Sequence, residues 1–175
     1  MIKLMPVLLI ILAVLARILP HPPNFAPIAA LALFGGVYLP RRYALSIPLA
    51  GLFLGDLFIG FYGLEMFFVY GSFLLVGLIG FWLKDHKRLI FILFSSLLCS
   101  TLFFVITNFG VWLLPNSMYS KDFAGLMNSY LMALPFFRGT MLGDLTYTSI
   151  LFASYELFRI LGKKYLSAKL GSLLF

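Results

Sequence analysis

Residues 89–114 read LIFILFSSLLCSTLFFVITNFGVWLL, a run of 26 residues that contains no charged side chain. A helix needs about 20 such residues to cross the hydrocarbon core of a bilayer. The same character extends over the chain of 175 residues, because 62% are apolar, 11% are charged and the mean hydropathy is +1.05. A soluble domain has about 45–50% apolar and about 25% charged residues. The composition therefore predicts a single integral membrane domain over residues 1–175, surrounded by the lipid bilayer, and excludes a soluble enzyme.

Six long apolar stretches predict an all-α fold, a polytopic bundle of six transmembrane helices. A seventh apolar run, Phe123–Phe137, has 15 residues and carries Asn128 and Ser129 in its middle. Its length and composition allow either a crossing or a position at the surface. The six predicted spans are Leu4–Leu19, Ala26–Leu39, Tyr43–Phe61, Leu64–Leu83, Leu89–Leu114 and Gly139–Leu161.

The basic residues decide between six and seven spans. The chain has 13 Lys and Arg against 6 Asp and Glu, a net charge of +7, and the basic residues stand at the ends of apolar runs. This position is typical of membrane orientation, so no nucleic-acid partner is expected. Six spans with the N-terminus inside place 10 basic residues in the cytoplasm and 3 outside, whereas seven spans give 7 and 6.

The positive-inside rule therefore favours six spans in the inner (plasma) membrane, with both termini cytoplasmic. In this topology, Phe123–Phe137 is a re-entrant or interfacial helix in the last outer loop.

The segment Pro20–Pro27, with the sequence PHPPNFAP, interrupts the apolar pattern between the first two spans. Proline removes a backbone donor and pushes the preceding residue to extended geometry, so this segment cannot be helical. Irregular backbone at membrane depth survives only where protein or a water-filled cavity covers it. We therefore expect a loop at the outer face that folds inward over the bundle.

Asp56 and Asp144 are the most informative polar residues, since each lies inside an apolar span, five residues from its outer end. A carboxylate in hydrocarbon costs about 2.5–3.5 kcal/mol or more, so each must face protein or water. One interpretation is contact with a substrate or an ion. The other is a structural pair with Arg17, Arg138 or a helix end.

Further polar and aromatic side chains are predicted at the same level, and helical spacing places Tyr147 on the stripe of Asp144. A cavity lined by aromatic residues and a few polar groups is what a small organic ligand needs. The alternative is the ordinary belt of Trp and Tyr at a membrane interface. The candidate substrate-binding residues are Asn24, Phe25, Asp56, Asn108, Trp112, Asp144 and Tyr147, with His21, Arg17 and Arg138 as further candidates.

The sequence offers little for catalysis or metal binding. Cys99, the only cysteine, is nine residues from Asn108, so at about 100° per residue it points away from the polar stripe. His21 has no Cys or His partner at the spacing of a metal site. The sequence contains no nucleotide-binding, zinc-protease or serine-hydrolase motif. No catalytic residue, metal site or cofactor is therefore predicted.

Small residues recur at helical spacing and predict close helix packing. Gly51 and Gly55 form one such pair, and Gly139 and Gly143 form another. The second span is also rich in small side chains, so it either packs closely inside the chain or offers a docking face to another subunit. Its small residues are Ala29, Ala30, Ala32, Gly35 and Gly36.

Five strings carry a resemblance: RILPHPPNFAPIAA at residues 17–30, LFGG at 33–36, TNFGVW at 107–112, PFFR at 135–138 and GDL at 143–145. In these strings the sequence resembles a family of small bacterial integral membrane proteins of uncharacterised function, over nearly the whole chain. By length, span number and topology, that family is in turn similar to the substrate-binding S components of energy-coupling-factor (ECF) transporters.

Similarity to S components implies a six-helix bundle with a ligand beneath its outer loops. It also implies a transmembrane coupling protein and two cytoplasmic ATPases as partners. S components often show an A-x-x-x-A motif on the first span for docking. Here Ala13 and Ala16 are three apart, and the nearest match, Ala26 and Ala30, opens the second stretch. Docking to an ATPase module therefore stays open, and some S components work alone.

The leading hypothesis is membrane transport, in which the chain is no enzyme but binds a small vitamin-like solute for uptake. It predicts that Asp144→Asn and Asn108→Ala lower uptake. One alternative is a membrane enzyme acting on a lipid or isoprenoid, with Asp56 and Asp144 holding a metal. Another is a structural membrane protein without a ligand.

Overall fold

The structure of the chain, a computed structural model, describes residues 4–20 and 22–171, with side chains for 4, 7–20 and 22–162. Every regular element in these residues is an α-helix, which confirms the all-α prediction. The helices are α1 Met5–Ile18, α2 Ile28–Tyr38, α3 Arg41–Ala44, α4 Ser46–Ile59, α5 Glu65–Leu83, α6 Leu89–Leu113 and α7 Phe123–Gly171.

Three helical segments are long and apolar enough to cross a membrane. They are α3 together with α4 over Arg41–Ile59, then α5 and α6. Their bounds lie within two residues of the predicted spans, because long apolar runs with few charged residues leave few other places to begin or end. Helices α1 and α2 are apolar but shorter, and α7 is interrupted by polar residues such as Arg138 and Glu156. Six spans therefore remain a prediction.

Helix α7 corrects one prediction. It runs without a break over 49 residues, from Phe123 to Gly171, with Pro135 inside it. The separate re-entrant or interfacial helix over Phe123–Phe137 is therefore wrong, since that run is the first part of α7. The helix continues through Pro135 because it packs along α6. Neighbouring helices in a membrane protein can re-satisfy the backbone groups that a proline frees.

Helices α6 and α7 run antiparallel and are joined along their length. The Ser129 hydroxyl lies 3.4 Å from the Asn108 carbonyl near one end. The Ser96 hydroxyl donates to Thr148 Oγ1 at 3.3 Å near the other end. Between them, the Phe104 and Phe137 rings pack with centroids 4.6 Å apart. The residue of α6 that an α7 residue contacts therefore shows how far along the bundle that α7 residue lies.

Helix α2 is the central element of the fold, since ten of its 11 residues are buried. It meets α5 backbone to backbone: a Cβ added at Gly36 would lie 2.6 Å from the Gly77 oxygen and 2.7 Å from Gly80 Cα. The small residues of this helix thus serve an intrachain contact. The other predicted pairs do the same, since Gly51 abuts Ala13 and Gly139 abuts the Pro23 carbonyl.

The loop before α2 does not only cover one end of the bundle, as a loop at the outer face would. It also packs between the helices. Its Phe25 backbone packs on Gly143 of α7. The next residue, Asp144, is hydrogen-bonded to Ser100, halfway along α6. Irregular backbone at this level agrees with the rule that such segments are covered by protein or line a cavity. On the α5–α6 loop side, Phe34, Tyr38, Phe152 and Tyr155 form an aromatic cluster.

Candidate functional site

A tight turn places the exposed Asn24 at the end of the loop before α2, where it lines a cavity. The Phe25 amide donates to the Pro22 carbonyl at 3.0 Å, which closes a four-residue turn. Asn24 stands at the third position of this turn with a φ of 58°, the left-handed conformation that Asn tolerates better than most residues. Pro23 before it supplies the fixed φ that the second position prefers. The sequence PPNF therefore positions an amide side chain at the end of the loop.

Beyond this turn lies a cavity of about 340 Å³. Every long helix contributes to its wall, together with the loop before α2 and the α4–α5 loop. This volume is within the range of small-molecule sites, about 300–1,000 Å³. Its lining combines polar and aromatic side chains: Arg17, Asn24, Ala26, Ile28, Ala29, Ile59, Tyr62, Val69, Phe73, Phe103, Thr140 and Asp144.

One wall is supported by an ion pair. Arg17 of α1 pairs with Asp56 of α4, whose side chain is 0% exposed. The Tyr70 hydroxyl donates to the second Asp56 oxygen at 2.7 Å. Burial and the neighbouring Asp56 carboxylate raise the pKa of Tyr62, in the α4–α5 loop, to about 12. This wall thus holds an arginine fixed by a carboxylate, beside a protonated tyrosine.

Another part of the wall carries Asp144, which is 2% exposed and lies beside the Ser100 hydroxyl. Ser100 of α6 is 2.7 Å from Asp144 Oδ2 and 3.2 Å from the Ser96 carbonyl. One turn further along α7, Thr148 is fully buried against Ser96. Hydroxyl groups at i and i+4 on α6 therefore face an acid and a hydroxyl at i and i+4 on α7.

Three of the predicted binding residues meet at the cavity: Arg17, Asn24 and Asp144. Asp56 stands behind Arg17 as its ion-pair partner. The remaining aromatic candidates are placed differently, because the Phe25 and Tyr147 rings pack against each other with centroids 5.4 Å apart. The two acids, which have the same predicted role in the sequence, therefore differ in the structure. Asp56 is a structural partner of Arg17, whereas Asp144 lines the cavity.

The other candidates lie away from this cavity. The Asn108 amide donates to the Phe104 carbonyl of its own helix at 2.8 Å. The Trp112 indole donates to the Ser120 carbonyl at 2.9 Å, in the α6–α7 loop. Arg138 is exposed on the side of α7. His21 lies outside the described residues.

Several cavity residues were not predicted, namely Phe73, Phe103 and Thr140, together with Ser100 beside Asp144 and Tyr70 behind the ion pair. The spacing of Ser96 and Ser100 is the one sequence signal that could have found this wall. Cys99 lies on the same buried face of α6. It does point away from Asn108, as predicted, but the buried polar stripe of α6 runs through Ser96 and Ser100.

A metal shared by Asp56 and Asp144 finds no support in the arrangement of donors. The two carboxylates engage different partners, Arg17 with Tyr70 and Ser100 respectively. In the part of the chain that the structure describes, no group of three or more His, Cys, Asp or Glu residues could hold a metal ion.

Comparison with known proteins gives a family but no activity. No curated protein matches the chain, and no solved structure matches it. Residues 2–168 of the 175 match DUF6580, a family of unknown function. The match extends over nearly the whole chain, as the resemblance to small bacterial membrane proteins does. The chain therefore belongs to the DUF6580 family.

Proposed function

We propose that this protein is the solute-binding component of a membrane transport system and takes up a small vitamin-like molecule. The observation that carries the proposal is the cavity between α1, α2, α4, α5, α6 and α7, with Arg17, Asn24 and Asp144 in its wall. A few oriented polar groups among apolar ones are characteristic of sites for small organic molecules. An ionisable residue inside a membrane bundle is a functional-site hypothesis by default, and Asp144, unlike Asp56, pairs with no basic side chain of the described residues.

The proposed orientation follows the distribution of basic residues. The α4–α5 loop and the α6–α7 loop face outward, both termini are cytoplasmic, and the protein resides in the inner membrane with six spans. In this orientation the solute arrives from the outer side and is held above the aromatic cluster of Phe34, Tyr38, Phe152 and Tyr155. That cluster fills the bundle between the cavity and the cytoplasm.

The proposed mode of action is that of an S component and involves no chemical conversion of the solute. The resemblance of the sequence to the S components of ECF transporters implies a transmembrane coupling protein and cytoplasmic ATPases, and the proposal includes these partners. The small residues of α2 are buried inside the chain, with Gly36 against α5 and Gly35 against Ala44 and Pro48. Docking must therefore use another face.

Native mass spectrometry tests the proposal on protein purified from its own membranes. We expect a co-purifying small molecule and, if the association is stable, the mass of attached subunits. A matched pair of variants tells whether the molecule sits in the cavity. Ala29→Phe places a ring in the cavity wall, whereas Ala153→Phe adds the same ring at an exposed position of α7.

We expect Ala29→Phe to lose the molecule and Ala153→Phe to keep it. Ala26→Leu fills the same cavity from the loop and serves if Ala29→Phe does not fold. Equal retention by the two phenylalanine variants, both folded, would overturn the cavity as the site. Protein that carries no small molecule and binds none would favour a structural role, and a chemically altered product would favour an enzyme.

A further inference from the structure

The charges around the cavity do not balance. Arg17 is already neutralised by Asp56. Asp144 has only the Ser100 hydroxyl as a hydrogen-bond partner among the described residues, and no basic side chain pairs with it there. It is nevertheless buried and lines the cavity. The cavity wall therefore contains one acid that no basic side chain of the described residues neutralises.

An unpaired carboxylate buried in an apolar surrounding is unfavourable, so it takes up a proton or a cation. The hydrogen bonds of Ser100 agree with a protonated Asp144. Ser100 Oγ lies within hydrogen-bond distance of both the Ser96 carbonyl and Asp144 Oδ2, but it has one hydrogen. Both contacts are satisfied when Ser100 donates to the carbonyl and the protonated Asp144 donates to Ser100.

The other residues of the cavity wall indicate what the rest of a ligand would contact. Phe73 and Phe103 offer ring surfaces, and Asn24 and Thr140 offer uncharged polar groups. The other charged or titratable groups of this wall are the Arg17–Asp56 pair and Tyr62 from the α4–α5 loop. Behind it lie Tyr70 of α5, which donates to Asp56, and the buried Cys99 beside Ser100 on α6. None of these supplies a free cation to Asp144.

We propose that the cavity takes a small organic cation with an apolar or aromatic body, whose ammonium group pairs with Asp144 and displaces its proton. This inference rests on the proposed function. The exchange balances, because the ammonium group keeps all of its hydrogens, the carboxylic O–H bond breaks and the proton passes to water. One positive charge enters the cavity as one leaves, so its net charge is unchanged.

Three probes of similar shape test the charge preference on the full-length protein in detergent: phenethylamine, the neutral 2-phenylethanol and the anionic phenylacetate. Isothermal calorimetry in two buffers of different ionisation enthalpy gives the affinity and the number of protons released. We expect the amine to bind more tightly than the alcohol or the acid. We also expect about one proton released per bound amine and none for the alcohol.

The variants separate Asp144 from other acids. We expect Asp144→Asn to weaken amine binding at least about tenfold and to abolish proton release. Asp144→Glu should keep the preference for the amine. Asp85→Asn, the same change at an exposed residue of the α5–α6 loop, should bind like the wild type.

Failure of this inference is distinct from failure of the proposed function. Tighter binding of the alcohol or phenylacetate, amine binding without proton release, or unchanged amine binding by Asp144→Asn overturns the cation and leaves a solute site. If no probe binds and the purified protein carries no small molecule, both fail. If Asp144→Asn does not fold, the wild type alone tests the inference. Proton release on binding the amine but not the alcohol supports it, and equal release with both overturns it.

Discussion

The Arg17 guanidinium of α1 forms an ion pair with the fully buried Asp56 carboxylate of α4, and Tyr70 of α5 donates to the same carboxylate. The close approach of α1 and α4 makes this pair possible, because Gly55 leaves space where a Cβ would meet the Arg17 side chain. The pair thus joins three helices beside the cavity. It also removes Asp56 from the groups available to a ligand.

Breaking this pair should destabilise the protein strongly. Asp56→Asn leaves Arg17 without its counter-ion, and removing one partner of a buried pair costs about 3–5 kcal/mol. We expect a large drop in the thermal unfolding temperature of the detergent-purified protein. The double variant Arg17→Gln with Asp56→Asn should be less destabilised than the sum of the two single variants. Strict additivity would contradict a direct interaction between the two side chains.

The contact between α2 and α5 should not tolerate even a methyl group. In Gly36→Ala the new Cβ would meet the backbone of Gly77 and Gly80 at distances under 3 Å, and backbone cannot move aside as a flexible side chain does. We expect a loss of about 1–3 kcal/mol in the free energy of unfolding. The measurement is unfolding of the purified variant by heat or by denaturing detergent.

Gly71→Ala is the matched control for Gly36→Ala. Nothing lies within 4 Å of a Cβ at Gly71, which is also inside α5. Alanine in a helix is about 0.5–1 kcal/mol more favourable than glycine, so this variant should be neutral or slightly stabilised. A Gly36→Ala variant as stable as Gly71→Ala would show that the two helices are not in backbone contact.

Sequence reasoning found α5 and α6 nearly to the residue, because two long apolar runs that flank the basic segment Lys84–Arg88 have few alternative placements. It failed at α7. Pro135, Arg138 and Gly139 are ordinary signals for a helix boundary, and the sequence reads as two pieces. Packing along α6 overrides these signals, and such tertiary contacts are not visible in a local pattern.

The site was only partly predictable, because the sequence does not show which helices meet. Helical spacing gives the face on which a residue lies, but not the neighbour that this face meets. Asn108 satisfies its amide within α6, whereas Ser100, one residue after Cys99, reaches Asp144. Asn24 was predictable because PPNF encodes a turn whose third position favours Asn.

Asp122 caps α7 and should make stability depend on pH. The Gly125 amide and then the Ser120 hydroxyl donate to its carboxylate at 2.7 Å each, and they hold the pKa of Asp122 below its usual range. A depressed folded-state pKa contributes stability above the unfolded value of about 4, and this stability is lost as the pH falls through the folded value.

We therefore expect Asp122→Ala to unfold at a lower temperature than the wild type at neutral pH, with a difference that shrinks below about pH 4. The exposed Asp85, whose side chain accepts no hydrogen bond within the described residues, provides the control variant Asp85→Ala. Unfolding temperatures measured across this range check the sign. A difference that stays constant down to low pH would mean that the Asp122 charge is not its source.

Asn24 and Asn108 should differ in their effect on solute retention, although the sequence places both at one level of the bundle. Asn24→Gly removes the amide but keeps the left-handed backbone, because glycine adopts a φ of 58° without strain. If the cavity holds the solute, Asn24→Gly should carry less co-purified molecule by native mass spectrometry. Asn108→Ala only frees the Phe104 carbonyl and should retain as much as the wild type. The reverse result would move the site from this cavity toward the α6–α7 loop, where Trp112 lies.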